Sequence, residues 1–181
     1  MTFLIYKGAP LKNILFLDTE FSDFIDTALL SIGLVSLDGT SSFYKERSDW
    51  QEEGKASPFV YENVLPLFTE KQLSTKVEIA SELHKWLVSQ GNSIIAIDYY
   101  GDWQLLCDLL ADYNWPSNIH RAPLNINSVM HSSEFQLTFL DYFKKHNLKQ
   151  HHALYDANAN RAGWLATPSK YKQEFLTLLC D

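Results

Sequence analysis

The sequence predicts an α/β protein in which a mixed β-sheet is flanked by helices. Three observations indicate this class: a short continuous apolar run at residues 14–17, a hairpin-like pair of apolar segments after it, and a later alternation of strand-like and helix-like segments. The chain has 181 residues, of which 46% are hydrophobic and 20% charged, as in an ordinary globular protein of about 150 residues per domain. We expect a single domain over residues 1–181.

The first part of the chain is predicted to contain three strands. Residues 14–17 are all apolar, which is typical of a central strand that is buried on both faces. Residues 28–37 and 42–45 are strand-like, and the turn signal Asp38-Gly39 between them predicts a hairpin. The segments that follow are predicted to be a loop at 49–57 and irregular or partly helical structure at 58–73.

The second part predicts helices and strands in alternation. Apolar residues recur at helical spacing from Val77 to Leu87, and Gly91 stands where a left-handed cap would end that helix. Residues 93–97 predict a buried strand, after which Asp102 is expected to be the N-cap of a helix. The remaining predicted elements are a last strand at 124–127 and helices at 133–146, 153–165 and 168–179.

Composition and charge exclude several classes of protein. Fifteen basic and twenty-two acidic residues leave a net charge of −7, which argues against holding long nucleic acid mainly by phosphate neutralisation. Cys107 and Cys180 provide neither a disulfide framework nor a cysteine-rich zinc site. Residues 1–17 are interrupted by lysines and a proline, unlike a signal peptide or a membrane span. We therefore expect an unprocessed, soluble, cytoplasmic protein without a membrane partner.

Two carboxylates close the first predicted strand. Asp18 and Glu20 are two positions apart, and because side chains alternate along a strand, both are expected on the same side. Carboxylates at the carboxyl end of a strand suit a hard divalent cation such as Mg²⁺ or Mn²⁺. Taken alone, this triplet is more typical of a strand that ends in a solvated acidic turn.

Two later segments carry further candidates. Asp102 lies at a strand-to-helix junction, where an ordinary N-cap is the simpler interpretation. His151 precedes Asp156 at the start of a helix of small residues, where a solvated basic loop is the simpler interpretation. The combination of these segments with the acidic pair carries more weight than any one of them.

In this order, Asp18, Glu20, Asp102, His151 and Asp156 resemble the motif of the DEDDh 3′–5′ exonucleases. The segment Leu30-Ser31-Ile32-Gly33-Leu34-Val35 is also similar to the second strand of that family, and the resemblance covers about residues 14–165. It implies a ribonuclease H-like fold and a metal-dependent enzyme that releases nucleoside 5′-monophosphates from 3′ ends. It also implies two divalent cations, Mg²⁺ or Mn²⁺, held by Asp18, Glu20, Asp102 and Asp156, with His151 as general base.

Two positions depart from the family pattern. Many relatives have His-Asn where this chain has Ile97-Asp98, so Asp98 competes with Asp102 as the third acidic ligand. We choose Asp102, because the family residue opens the helix. The histidine is doubled, and we choose His151 over His152 because it lies five positions before Asp156, as the general base of the family does.

The resemblance also implies a pocket for a terminal nucleotide. Phe21, Tyr99 and Tyr100 flank the acidic residues and are expected to offer stacking surfaces, and Thr19 is expected to contact the terminal sugar. Trp103 is expected to belong to the core. A modest basic group is the predicted clamp for one or two phosphates: Lys144, Lys145, Lys149 and Arg161.

The predicted partner is the 3′ end of single-stranded or short-overhang RNA. DNA stays an open alternative, because discrimination depends on contacts to the 2′-hydroxyl that the sequence does not reveal. An endonuclease acting on hybrids would need a broader basic surface. A non-catalytic nucleic-acid-binding or complex-forming module with the same fold is the alternative from another class. Relatives often dimerise, so a homodimer also stays open.

Overall fold

The computed structural model describes residues 12–25, 27–69, 71, 73–175 and 179. Its described residues form one mixed sheet whose five strands are β1 (Asn13–Phe21), β2 (Leu29–Ser36), β3 (Ser42–Glu46), β4 (Ser93–Ile97) and β5 (Leu124–Asn125). The α-helices in the same part of the chain are α1 (Pro58–Asn63), α2 (Lys76–Ser89), α3 (Tyr100–Leu109), α4 (Asn127–Met130), α5 (Ser133–His146) and α6 (Ala153–Ala166). None of these helices has the length and apolar character needed to cross a membrane.

The strands are arranged in the order β3-β2-β1-β4-β5. The first three form an antiparallel meander, whereas β4 pairs with β1 and β5 with β4 in parallel. The predicted α/β class with a mixed sheet is therefore confirmed. Because β1 and β4 are adjacent and parallel, both end at the same edge of the sheet, where α/β proteins usually place their ligands.

The sheet separates two apolar layers. Leu15 and Leu17 of β1 face the side covered by α2 and α3, and they pack with Leu83 and Leu106. Ile14 and Phe16 face the opposite side, where α4, α5 and α6 contribute the partners Val129, Phe135 and Trp164. The run at residues 14–17 is apolar throughout because this central strand is covered on both faces, and Trp103 lies in the first layer as predicted.

Two predicted helix ends differ from the structure. Asp102 is not the N-cap of α3. Tyr99 is the N-cap, and Asp102 lies in the first helical turn, where its carboxylate accepts a hydrogen bond from the hydroxyl of Thr19 on β1. Gly91 does not provide a left-handed cap either, because α2 ends in the extended residue Gln90.

The predicted helix at residues 168–179 is also wrong over residues 168–175. The chain forms two short 3₁₀ turns, Ser169–Tyr171 and Gln173–Phe175. Phe175 packs its ring against Trp164 of α6, with ring centroids 5.5 Å apart. This tertiary contact is compatible with short turns at this position. Residues 176–178 lie outside the described part of the chain.

Helix α6 approaches the sheet at one glycine. Gly33 of β2 pairs with Asp18 of β1, and the start of α6 lies directly against it. A Cβ atom on Gly33 would stand 2.5 Å from the carbonyl carbon of Ala153 and 2.6 Å from its oxygen. The absence of a side chain therefore allows the first turn of α6, which carries Asp156, to reach the end of β1.

We expect Gly33→Ala to destabilise the protein by about 1–3 kcal/mol, because the added methyl group meets rigid backbone atoms of α6. Gly91→Ala is the matched control, since its Cβ would meet no atom within 4 Å. Urea denaturation of both variants measures the difference. Equal free energies of unfolding for the two variants would contradict this account of the α6 contact.

Candidate active site

The acidic pair of β1 lies at the carboxyl end of the strand. Asp18 and Glu20 follow Phe16 with the period of two that a strand imposes, so they share the side of the sheet that α6 covers. Thr19 lies on the opposite side and is buried, with 4% of its surface exposed. The strand is irregular between Glu20 and Phe21, where its register with β2 shifts. The two carboxylates therefore stand where the regular pairing ends.

Asp156 reaches this edge from the first turn of α6. Its Oδ2 atom accepts a hydrogen bond of 2.7 Å from the backbone N–H of His151, five residues earlier. That contact requires a left-handed backbone at His151, whose φ is 71°. The other oxygen, Oδ1, is buried without a hydrogen-bond donor. The backbone of His151 thus holds one carboxylate oxygen and leaves the second available.

Asp102 reaches the same edge from α3, on the other side of the sheet. It is 3% exposed, and its Oδ1 atom accepts a hydrogen bond of 2.6 Å from the hydroxyl of Thr19. The residue between the two acids of β1 therefore holds the third acid. The Thr19 hydroxyl donates its proton in this bond and keeps only its acceptor capacity, and the backbone of Thr19 also hydrogen-bonds Asp102. A contact of Thr19 with a substrate sugar stays a prediction.

Asp98 is a further acidic residue of the site, which the sequence reasoning considered and set aside. It follows β4, the parallel neighbour of β1, and lines the same cavity. One oxygen each from Asp18, Asp98 and Asp102 lie within 4.8 Å of one another. A second group with the same spacing consists of Glu20, His151 and Asp156. The signal that points to Asp98 is its position directly after a buried strand parallel to β1.

The two adjacent histidines have different environments. His151 lies in the second group of candidate ligands, and its ring meets that of Phe59 edge-on. His152 is 3% exposed and is stacked between Tyr44 and Tyr155, with centroid distances of 4.4 and 3.7 Å. The structure therefore brings His151, and not His152, together with the acidic residues.

Burial and mutual repulsion shift the pKa values of the clustered acids upward. Burial, together with the nearby charges of Asp156 and Asp102, raises the pKa of Glu20 to about 9. Burial also raises the pKa values of Asp102 and Asp156 to about 7, although each accepts hydrogen bonds that act against the shift. The pKa of Asp18 is raised well above its ordinary value, first by burial and then by its acidic neighbours.

The histidine pKa values move the other way. Burial lowers the pKa of His151 below its usual value of 6.5 and lowers that of His152 to about 4. Both imidazoles are therefore neutral near pH 7 in the metal-free protein. A neutral imidazole has one nitrogen that accepts a proton.

The donor set fits hard divalent cations. Every acidic member offers oxygen atoms, the site contains no thiol among its lining residues, and buried oxygens of Asp98 and Asp156 have no hydrogen-bond donor. An orphaned buried carboxylate oxygen is costly unless a proton or a cation satisfies it. Oxygen ligands in such number are the preference of Mg²⁺ and Mn²⁺.

A cavity of about 520 Å³ opens over these carboxylates. Its aromatic lining includes Phe21, whose ring stacks on Tyr99 with centroids 6.2 Å apart and meets Phe24 edge-on at 5.1 Å. Phe59 lines it from α1. Sequence reasoning predicted Phe21 and Tyr99 but missed Phe24 and Phe59, because no local pattern distinguishes these two from core residues.

Some predicted binding residues lie elsewhere. Tyr100 is exposed but is absent from the cavity lining, because it is the first residue of α3 and Tyr99 precedes it on the cavity side. Lys144 and Lys145 line a separate hollow of about 480 Å³ at the end of α5. The Nε atom of Arg161 donates to the carbonyl of Leu37. None of these four residues, nor Lys149, lines the carboxylate cavity.

Comparison with solved structures identifies the fold. The chain is similar to the nuclease domain of 3′hExo, a DEDDh family member bound to rAMP, with a TM-score of 0.55 at 12% identity, covering 94% of each chain. It is similar to the 3′-exonuclease in a structure of 3′-end-specific recognition of histone mRNA stem-loop, with a TM-score of 0.58 at 14% identity, covering 95% of this chain and 66% of that one.

The chain is also similar to Escherichia coli exonuclease I in complex with a dA16 oligonucleotide, with a TM-score of 0.61 at 12% identity. Here it covers 92% of its own length and 43% of the exonuclease I chain. No family model matches the sequence, and no curated protein matches it. The chain therefore has the ribonuclease H-like fold of DEDDh exonucleases, which confirms the predicted fold.

The raised pKa values predict how stability depends on pH without divalent cations. The folded protein keeps protons on Glu20 up to about pH 9 and on Asp102 and Asp156 up to about pH 7, whereas the unfolded chain loses them near pH 4. The folded state binds more protons, so in EDTA the free energy of unfolding should fall as pH rises from about 6.5 to 9. Below that window the depressed pKa of His152 acts in the opposite direction.

Urea denaturation at several pH values in EDTA measures this slope. Added Mn²⁺ should raise the free energy of unfolding most at the high end of the window, because a cation binds the ionised carboxylates of the folded state. A profile in EDTA that is flat or rises over the same window would contradict the buried, mutually repelling cluster.

Proposed function

We propose that this protein is a metal-dependent 3′–5′ exonuclease that hydrolyses phosphodiester bonds and releases nucleoside 5′-monophosphates. One observation carries the proposal: Asp18, Glu20, Asp102, Asp156 and His151, which are far apart in the sequence, line a single cavity. This cavity lies at the carboxyl edge of a sheet whose fold is shared with DEDDh exonucleases. The fold alone would not establish the activity, but the fold together with this donor set supports it.

The acidic residues would hold two divalent cations, Mg²⁺ or Mn²⁺. The proposed ligands are Asp18, Glu20, Asp102 and Asp156, whose oxygens belong to two close groups. Buried oxygens of Asp98 and Asp156 in these groups lack hydrogen-bond donors. When bound, such cations activate a water molecule and stabilise the departing 3′-oxygen. Ionised carboxylates are the form that binds, so their raised pKa values also mean that cation binding releases protons.

His151 is the proposed general base. Burial keeps its imidazole neutral near pH 7, and its ring lies beside Glu20 and Asp156. The left-handed backbone of His151 ties its position to Asp156 through the hydrogen bond from its N–H. His151, which would accept the proton of the attacking water, is thus linked directly to Asp156, a proposed cation ligand.

The cavity is proposed to bind the terminal nucleotide. Its volume of about 520 Å³ lies within the usual range of about 300–1,000 Å³ for small-ligand sites. Phe21 and Tyr99 offer stacked rings on one wall, and Phe24 is 79% exposed beside them. The net charge of −7 is compatible with a protein that contacts only a few nucleotides at the 3′ end of a nucleic acid.

RNA is the proposed substrate, with DNA as the alternative. The similar structures include one protein with a histone mRNA stem-loop and one with a dA16 oligonucleotide, so the likeness alone favours neither. Contacts to the 2′-hydroxyl decide between the two. A cytoplasmic location and a homodimer stay predictions.

Incubation of the protein with 5′-labelled single-stranded RNA or DNA and Mn²⁺ should shorten the strand stepwise from its 3′ end, and EDTA should abolish this. His151→Gln should lower kcat by about 10²–10⁴-fold, because it removes the proton acceptor. Asp156→Asn should lower activity strongly by weakening cation binding. Gel analysis and chromatography of the released nucleotides measure both effects.

His131→Gln is the control, because His131 is exposed and lies outside the cavity lining. It should retain the activity of the unchanged protein. Full activity of Asp156→Asn would overturn the ligand assignment. If the unchanged protein bound RNA or DNA but released no nucleotide with any divalent cation, the non-catalytic binding module would replace the enzyme proposal.

Tyr99→Ala should raise KM for oligonucleotides by about fivefold or more while changing kcat less, because a stacking contact is worth about 1–3 kcal/mol. The side chain of Tyr99 makes no capping hydrogen bond to α3, so the helix should persist. Tyr171→Ala is the control, an exposed tyrosine outside the cavity lining. Equal KM values for both variants would exclude Tyr99 from the binding surface.

A further inference from the structure

We propose that Asp98 is a fifth carboxylate ligand, so that the cation between Asp18 and Asp102 is held by three aspartates. This inference rests on the proposed function, because it concerns a cation of the same site. It goes beyond the five residues of the resemblance, in which Asp98 has no role. Its basis is the position, the orientation and the unsatisfied oxygen of this one side chain.

The position follows from the sheet. β4 runs parallel to β1 and pairs with it from Ser93 to Ala96, so Asp98 leaves β4 beside the end of β1. One oxygen of Asp98 lies within 4.8 Å of an oxygen of Asp18 and of Asp102. This spacing is compatible with one hard cation shared by the three side chains.

The orientation is held from α6. The side chain of Asn160, which is 1% exposed, hydrogen-bonds the Asp98 carboxyl group. The oxygen of the Asn160 amide has no partner, so the amide nitrogen is the donor in this bond. Asn160 lies one helical turn after Asp156 on α6. The helix that supplies a proposed ligand therefore also fixes Asp98.

One unsatisfied oxygen of Asp98 supports a role of this residue as a ligand. Oδ1 of Asp98 is buried and has no hydrogen-bond partner in the described structure. A buried carboxylate oxygen without a donor is costly, and a cation bound beside Asp18 and Asp102 would satisfy this oxygen.

Mn²⁺ titrations of the full chain by calorimetry test this ligand. Asp98→Asn keeps the shape of the side chain and removes its charge, and it should weaken one Mn²⁺ site by about tenfold or more. Asp23→Asn is the matched control: it removes one charge from the same cavity, at a residue outside both groups of clustered oxygens. It should change Mn²⁺ affinity by much less, since Asp23 is only partly buried and does not belong to the clustered oxygens, so solvent and salt screen its charge more.

Equal Mn²⁺ affinities of Asp98→Asn and the unchanged protein, or equal losses in Asp98→Asn and Asp23→Asn, would overturn the proposal. If Asp98→Asn did not fold, Asn160→Ala would serve in its place. It leaves the carboxylate and removes only its orienting donor, and an unchanged Mn²⁺ affinity in Asn160→Ala would then count against the ligand role.

The same preparations separate this inference from the proposed function. Nuclease activity that is lost with Asp156→Asn, together with unaltered Mn²⁺ binding in Asp98→Asn, would leave the exonuclease standing and remove the fifth ligand. Mn²⁺ binding that depends on Asp98 in a protein without nuclease activity would remove the exonuclease and keep the site. Absence of Mn²⁺ binding by the unchanged protein at millimolar concentration would overturn both.

Discussion

Mutual repulsion among buried carboxylates is the constraint on which the candidate site depends. Asp18, Glu20, Asp98, Asp102 and Asp156 meet at one edge of the sheet, and burial raises the pKa of each. A pair of such charges at 4 Å repels by about 4 kcal/mol at an effective dielectric of 20. The rest of the fold supplies the stability that keeps this arrangement together, and divalent cations are the partners that would turn the repulsion into attraction.

Three structural features hold the acidic side chains in place despite this repulsion. The alternation of β1 puts Asp18 and Glu20 on one side, while Thr19 between them holds Asp102 from the other side of the sheet. The left-handed backbone at His151 directs an N–H to Asp156. The last two each bind one carboxylate oxygen, and buried oxygens of Asp98 and Asp156 have no hydrogen-bond partner. The site is thus ordered by the protein but electrostatically incomplete, which is the state expected of a centre built to take cations.

Close contact between α6 and the sheet couples the fold to this site. Gly33 of β2 lets the backbone of Ala153 approach, which brings Asp156 to the end of β1. Further along α6, Asn160 orients the Asp98 carboxyl group. One helix therefore carries or orients groups in both clusters of candidate ligands, so a shift of α6 relative to the sheet would alter both together.

By itself, the sequence determined the class of the fold and proposed most residues of the candidate site. Apolar runs and turn signals are local, so they identified the strands, and the order of the acidic residues identified Asp18, Glu20, Asp102 and Asp156. Only the tertiary structure revealed that Asp98 lies beside Asp18, because this nearness arises from the pairing of strands about eighty residues apart in sequence. It also decided the ends of the helices and the aromatic wall of the cavity, since these depend on contacts between distant segments that no local pattern encodes.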